Sequence, residues 1–130
     1  MDEETIISAV IRYFAKHAEN IVAAYVFGSV ARRTSKPSSD VDIAVLFAVP
    51  PAPALSGLAL ETQADLEQLL GCAVQLVVLN DAPVDLVHRV LRDGELVYES
   101  DRAGRVNFEV AARREYLDLL PILRRYRKAA

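Results

Sequence analysis

Apolar residues at Ile6, Ile7, Val10, Ile11, Phe14 and Ala18 recur at the i, i+3, i+4 spacing of one helical face, which predicts an opening amphipathic helix. The period then changes. Ile21 to Phe27 is an unbroken apolar run stopped by Gly28-Ser29, the pattern of a buried strand. Residues 29–36 begin as a short helical turn and continue as loop. Val41 to Val49 is a second buried strand, ended by Pro50-Pro51-Ala52-Pro53 because proline cannot donate to a sheet ladder. Leu55 to Leu70 reads as a helix, with Leu58, Glu61, Asp65 and Gln68 at polar-side positions among Leu66, Leu69 and Leu70, and with Gly71 as its C-cap.

Val74 to Leu79 is the third strand. Asp81-Ala82-Pro83 opens another helix by an acidic cap and an early proline. Leu86, Val87, Val90 and Leu91 face the core, and Asp93-Gly94 is the stop. Leu96-Val97-Tyr98 forms a short edge strand. From about Asp101 a long helix follows, with Val106, Val110, Leu117 and Leu120 as its apolar seam and Pro121 expected to kink or end it. Strands interleaved with helices predict an α/β or α+β sheet covered by helices, with strand senses left open.

With 130 residues and 52% apolar content, the chain has enough material for one hydrophobic core, so residues 1–130 are expected to form a single domain. Cys72 is the only cysteine, which excludes an internal disulfide and fits a reducing compartment. Met1-Asp2-Glu3-Glu4 is acidic where a signal peptide would be basic, and no apolar run approaches membrane-spanning length, so a cytoplasmic location with no membrane role is expected. Net charge is −3 but unevenly placed. Residues 1–100 carry 14 acids against 7 bases, and residues 101–130 carry 4 acids against 8 bases. The basic tail suits either an acidic partner or a solvated helix face.

Gly28-Ser29 lies between a strand and a helical turn, where glycine allows close backbone approach and free N–H groups attract phosphate. Arg32, Arg33 and Lys36 are the only charges between Ser29 and Asp40, making this loop positive as a block. Asp40 and Asp42 stand two apart at the mouth of a strand, so both carboxylates point one way while Val41 and Ile43 point the other. At ~6 Å they repel by about 3 kcal/mol for an effective dielectric of 20, a cost that a cation between them removes. Hard oxygen ligands with open positions suit Mg²⁺ (or Mn²⁺), which completes its shell with water and phosphate oxygens.

Alone, each element is weak. Together, the pattern G-S-x10-D-x-D resembles the core motif of the DNA polymerase beta-like nucleotidyltransferases, and the short chain resembles their minimal form, the MNT family. The resemblance covers about residues 5–100, and the helix of about residues 101–128 looks like the family's tail. It implies a nucleotidyltransferase fold, a small mixed sheet flanked by helices. It also implies that Gly28 and Ser29, with Arg32 and Arg33 nearby, bind a nucleoside triphosphate, while Asp40 and Asp42 hold the metal for in-line transfer. MNT proteins are similar to the antitoxin halves of pairs with HEPN-domain ribonuclease toxins. The implied activity is transfer of AMP from ATP to a tyrosine of that toxin.

One departure stands out. The family's third carboxylate is commonly the Asp of a Val-Asp-Leu-Val strand, and this sequence has Val74-Gln75-Leu76-Val77. An amide accepts hydrogen bonds but cannot act as a base. Either the third acid is missing, or Gln75 is an edge-strand polar residue and an acid such as Asp81 supplies it. A catalytically weakened antitoxin that neutralises its toxin by binding alone is the competing expectation. Transfer to a small molecule is disfavoured, because little chain remains to hold an acceptor. His17 and His88 lack a second ligand at metal spacing. Cys72 reads as core. The five tyrosines are dispersed, so direct nucleic-acid binding is not expected. A homo- or hetero-oligomer is compatible with the pattern.

Overall fold

The computed structural model describes residues 1–49 and 57–129. Helix α1 spans Glu3–Lys16, started by Asp2, whose carboxylate accepts from the Thr5 N–H at 2.7 Å. Strand β1 is Ile21–Phe27, α2 is the single turn Gly28–Ala31, and β2 is Val41–Phe47. Helix α3 covers Gly57–Leu70, β3 Val74–Val78, α4 Val84–Asp93, β4 Glu95–Glu99 and α5 Arg102–Ala129. The proline stop at Pro50–Pro53 and the helix start at Leu55 lie outside the described residues.

The four strands form one sheet in the order β3-β2-β1-β4. The β1–β2 and β1–β4 pairs are antiparallel and β2–β3 is parallel, so the sheet is mixed. Strand alternation divides the core in two. Ala24, Val26, Val41, Ile43, Val45, Phe47 and Val74 pack with Ile6, Val10 and Phe14 of α1 and Leu66 and Leu70 of α3. On the other face Ala23, Tyr25, Ala44 and Leu46 meet Val87 and Val90 of α4, with Phe108 and Ala112 of α5 against them. The crossover from β3 through α4 returns the chain to the end of β1. That brings the C-terminus of α4 beside Gly28 and lets β4 pair along the outer edge of β1.

Several expectations change. In α1 it is Tyr13, rather than Ile11, that completes the buried face. Ile11 is 44% exposed, while the Tyr13 hydroxyl donates to Asp65 of α3 at 2.9 Å. Asp65 therefore joins two helices instead of facing solvent alone. Leu69 is exposed and Leu58 packs against the core, the reverse of the expected sides. Gly71 caps α3 with φ of +68°, as expected. Helix α4 is capped by Pro83 without a side-chain bond, so Asp81 is not its cap.

The largest correction concerns α5. Val106, Val110 and Leu117 of the expected seam are exposed at 40, 41 and 64%. The helix is held instead by Phe108 and Ala112, by Tyr25 donating to Glu109, by Arg105 bridging Glu99 and Glu109, and by the His88–Tyr116 stack. A mixed aromatic and charged contact carries no aliphatic period, which is why the pattern pointed to the wrong face. Pro121 does not end the helix. The residue whose carbonyl Pro121 cannot bond, Leu117, is 64% exposed, so that carbonyl is open to hydration and the missing bond costs little.

Phe14 is fully buried between α1, the sheet and Tyr98. Phe14→Ala is expected to lower unfolding free energy by about 3–5 kcal/mol, read from the urea midpoint at unchanged m.

Candidate functional site

Register builds the site. Phe27 is the antiparallel partner of Asp42, and Asp42 is the parallel partner of Gln75, so one row crosses three strands. Gly28 follows directly, with φ of +70°, a conformation that favours glycine. A Cβ there would overlap Oδ2 of Asp42, so the Gly28 position is fixed twice, by backbone angle and by the carboxylate above it. The turn is closed by Arg32 N–H donating to Gly28 O at 3.1 Å and Thr34 N–H to Ser29 O at 2.8 Å.

These residues open onto a cleft of about 610 Å³ lined by Gly28, Ser29, Arg32, Asp40, Asp42 and Gln75 on one side. That brings together the Gly28-Ser29 turn, Arg32, both aspartates and Gln75 singled out from the sequence. Arg33 is not brought in. Its φ is +61°, and its guanidinium pairs with Glu4 at 2.7 Å and Glu95 at 3.4 Å and donates to the carbonyls of Val30 and Ala31. Arg33 ties the loop to α1 and β4. Lys36 turns into a neighbouring pocket with Asp2 and Glu3. The basic block thus sends only Arg32 into the cleft.

Asp42 has its carboxyl pKa raised, first by burial and then by the charge of Asp40, with Arg32 opposing. The two like charges therefore strain each other in this protein, the condition a divalent cation relieves. Two carboxylates in a cleft that Ser29 also lines fit one Mg²⁺ or Mn²⁺ that would take its remaining ligands from water and phosphate. Among the described residues no group of three His, Cys, Asp or Glu could hold a metal by itself. His17 stacks on Tyr13 and His88 on Tyr116, consistent with structural roles.

Gln75 stands on the edge strand beside Asp42. Asp81 does not replace it. The Asn80 side chain bridges both backbone groups of Phe47, at the far end of β2, roughly 16 Å along the strand from Asp42 at 3.3 Å per residue. Asp81 follows Asn80 at that end.

The opposite wall was missed by the sequence reading. Leu86, Arg89, Arg92 and Asp93 of α4, with Val77 and Phe27, complete the cleft. Their spacing along α4 marks the face adjoining the buried Val87 and Val90, a periodicity that could have revealed a second, charged stripe. Arg92 donates twice to Asp93 at 2.9 Å, holding that carboxyl below its usual range. Arg89 makes no ion pair among the described residues.

A raised carboxyl pKa favours folding only while the group is protonated. That contribution is complete below the ordinary value of 3.8 and is lost as pH rises through the raised folded value. At pH 7 in EDTA, Asp42→Asn should therefore melt above wild type, with the difference vanishing near pH 3. An equal or lower Tm at pH 7 contradicts the strained pair.

Comparison with known proteins accords with this geometry. The family model described as "Polymerase beta, Nucleotidyltransferase" matches residues 9–103. No curated protein sequence matches the chain. A chain from a toxin–antitoxin crystal structure with AMP-PNP is similar in fold, with TM-score 0.79 and 24% identity over 95% of this chain and 96% of that one. A chain from the tri-AMPylated Shewanella oneidensis HEPN toxin in complex with MNT antitoxin gives 0.75 and 21% over 98% and 97%. A chain described as a minimal nucleotidyltransferase is 34% identical, with TM-score 0.59 over 73% of this chain and 95% of that one. The chain belongs to the polymerase beta nucleotidyltransferase family, in its minimal form.

Proposed function

We propose that this chain is the antitoxin of a HEPN toxin pair and transfers AMP from ATP to a tyrosine of that toxin. The observation that carries the reading is the single row Phe27–Asp42–Gln75 with Gly28 locked beneath Asp42, which sets a carboxylate against the Gly28-Ser29 turn. Ser29 and Arg32 bind the triphosphate, and Asp40 and Asp42 hold Mg²⁺. When bound, the ion neutralises charge developing on the transferred phosphoryl group and its leaving group. The acceptor oxygen forms a bond to the α-phosphorus, the bond to the bridging oxygen breaks, and pyrophosphate leaves with the electron pair.

The partner reading rests on two features. The similar chains come from complexes with a toxin, one of them AMPylated. In addition, α5 presents Val106, Val110 and Leu117 as an uncovered aliphatic stripe, flanked by Arg113 and Arg114, that the sheet does not use. Partner proteins cover such patches. A second reading, neutralisation by contact alone, is favoured by Gln75 where the family commonly has an acid.

Label transfer from α-labelled ATP to the co-purified toxin tests the first reading. Wild type should label the toxin, and Asp42→Asn should not. Full neutralisation without label would favour contact alone. In calorimetry AMP-PNP should bind with Mg²⁺ and fail to bind in EDTA, with Ser29→Ala weakening it by about 1.5–3 kcal/mol. Val110→Asp combined with Leu117→Asp, both on that stripe, should impair toxin binding and leave the AMP-PNP affinity within twofold.

A further inference from the structure

Transfer to a hydroxyl requires that a proton be lost, and the cleft offers little to receive it. Its carboxylates among the described residues are Asp40, Asp42 and Asp93. Asp40 and Asp42 are committed to the cation in the proposed function. Asp93 is held by both hydrogen bonds from Arg92. Glu67, the carboxylate bonded nearest in sequence to Gln75, accepts from the Val74 N–H. Val74 packs toward α1 and α3, on the face of the sheet away from the cleft. His88 is stacked on Tyr116 and does not line the cleft. The remaining charged groups there are cations, Arg32, Arg89 and Arg92. At the position beside Asp42 stands Gln75, which accepts no proton.

We propose that this cleft transfers nucleotide only to hydroxyls acidic enough to ionise unaided, phenols such as a tyrosine side chain, and that it stops after one transfer. The inference rests on the transfer reading above and narrows its substrate class. The magnitudes decide it. A phenol ionises near pH 10, whereas aliphatic hydroxyls lie nearer water at ~15.7, a gap of roughly five decades in ionised fraction. A positioned base contributes typically ~10²–10⁴-fold. Its loss leaves a phenol reactive and puts serine or a sugar hydroxyl out of reach. In the step itself the phenol releases its proton to solvent, its oxygen bonds to the α-phosphorus, and pyrophosphate departs. The attached AMP then offers only ribose hydroxyls, so no second unit follows. Phe27, Val77 and Leu86 supply an apolar wall for the aromatic ring, and Arg89 a cation near the phenolate. A triply AMPylated toxin, as in the Shewanella oneidensis complex, is the contrasting outcome.

The test uses wild type and Gln75→Asp with Mg²⁺-ATP, the co-purified toxin read by intact mass, and N-acetyltyrosinamide and N-acetylserinamide as small acceptor probes. Wild type should add one AMP per toxin, label the tyrosine probe and leave the serine probe unlabelled. Its rate should rise about tenfold per unit between pH 7 and 9. Gln75→Asp should flatten that profile and add further AMP units. Serine labelling, a second AMP added by wild type to the first, or a flat wild-type pH profile would overturn the inference while leaving transfer itself standing. AMP-PNP binding without label on any acceptor would instead refute the transfer reading and this inference with it.

Discussion

Everything at the site depends on the contact between the Asp42 carboxylate and the bare Cα of Gly28. The carboxylate occupies the space a side chain would need, so the turn after β1 and the mouth of β2 are built as one unit. Because β1 and β2 are antiparallel partners, the end of one strand meets the start of the other, and Phe27 opposite Asp42 sets that register. Because β2 and β3 are parallel, the start of β3 arrives at the same place and delivers Gln75. A one-residue slip would turn Asp42 into the α1–α3 core and Ile43 into the cleft. The hydrophobic alternation of β2 thus protects the chemistry as well as the fold.

The same packing explains the cost of the site. Folding brings two carboxylates together and partly buries one of them, which raises the Asp42 pKa. The expense is tolerated because Val41, Ile43 and Val45 on the reverse face of the same strand are fully buried. Strain at a binding site is sustained by a rigid core directly behind it. Arg33 extends that support outward. By pairing with Glu4 and Glu95 it braces the loop from α1 and β4, so Arg32 next to it is left to face the cleft.

Much of this was legible in the sequence, for definable reasons. Buried strands declare themselves as unbroken apolar runs, and β1 and β2 were readable to within two residues at their ends. The motif Gly28-Ser29 with Asp40 and Asp42 was legible because spacing on a strand dictates which side chains share a face. Three things were not. Arg33 could not be separated from Arg32, since adjacent residues on a turn diverge by backbone angles that the sequence does not display. The α4 wall was hidden because its partner residues are distant in sequence and its charged stripe looks like a solvated face. The orientation of α5 was misread because its contact with the body is made by Phe108, Glu109, Ala112 and Tyr116, and the aliphatic residues that set the apparent period point outward.

That outward stripe and the neutral Gln75 bear on one another. If the chain transfers nucleotide as proposed, a cleft without a resident base depends on the acceptor for its reactivity and gains much from holding one acceptor well. Positioning a reacting pair is worth about 7–11 kcal/mol when the geometry is right, more than the ~3–5 kcal/mol that a base contributes. A cleft walled by one sheet edge and one helix supplies part of that positioning, and a docking surface outside it adds the rest for an acceptor carried on a protein. The outer face of the 28-residue α5, with Val106, Val110 and Leu117 exposed beside Arg113 and Arg114, would give a partner protein a surface to grip. In the proposed transfer, binding energy gathered there would be available for fixing the acceptor tyrosine against the nucleotide. On the proposed reading the chain would divide its labour, with phosphate and metal chemistry on the sheet, selection for a phenol in the cleft, and docking of the acceptor's protein on the terminal helix.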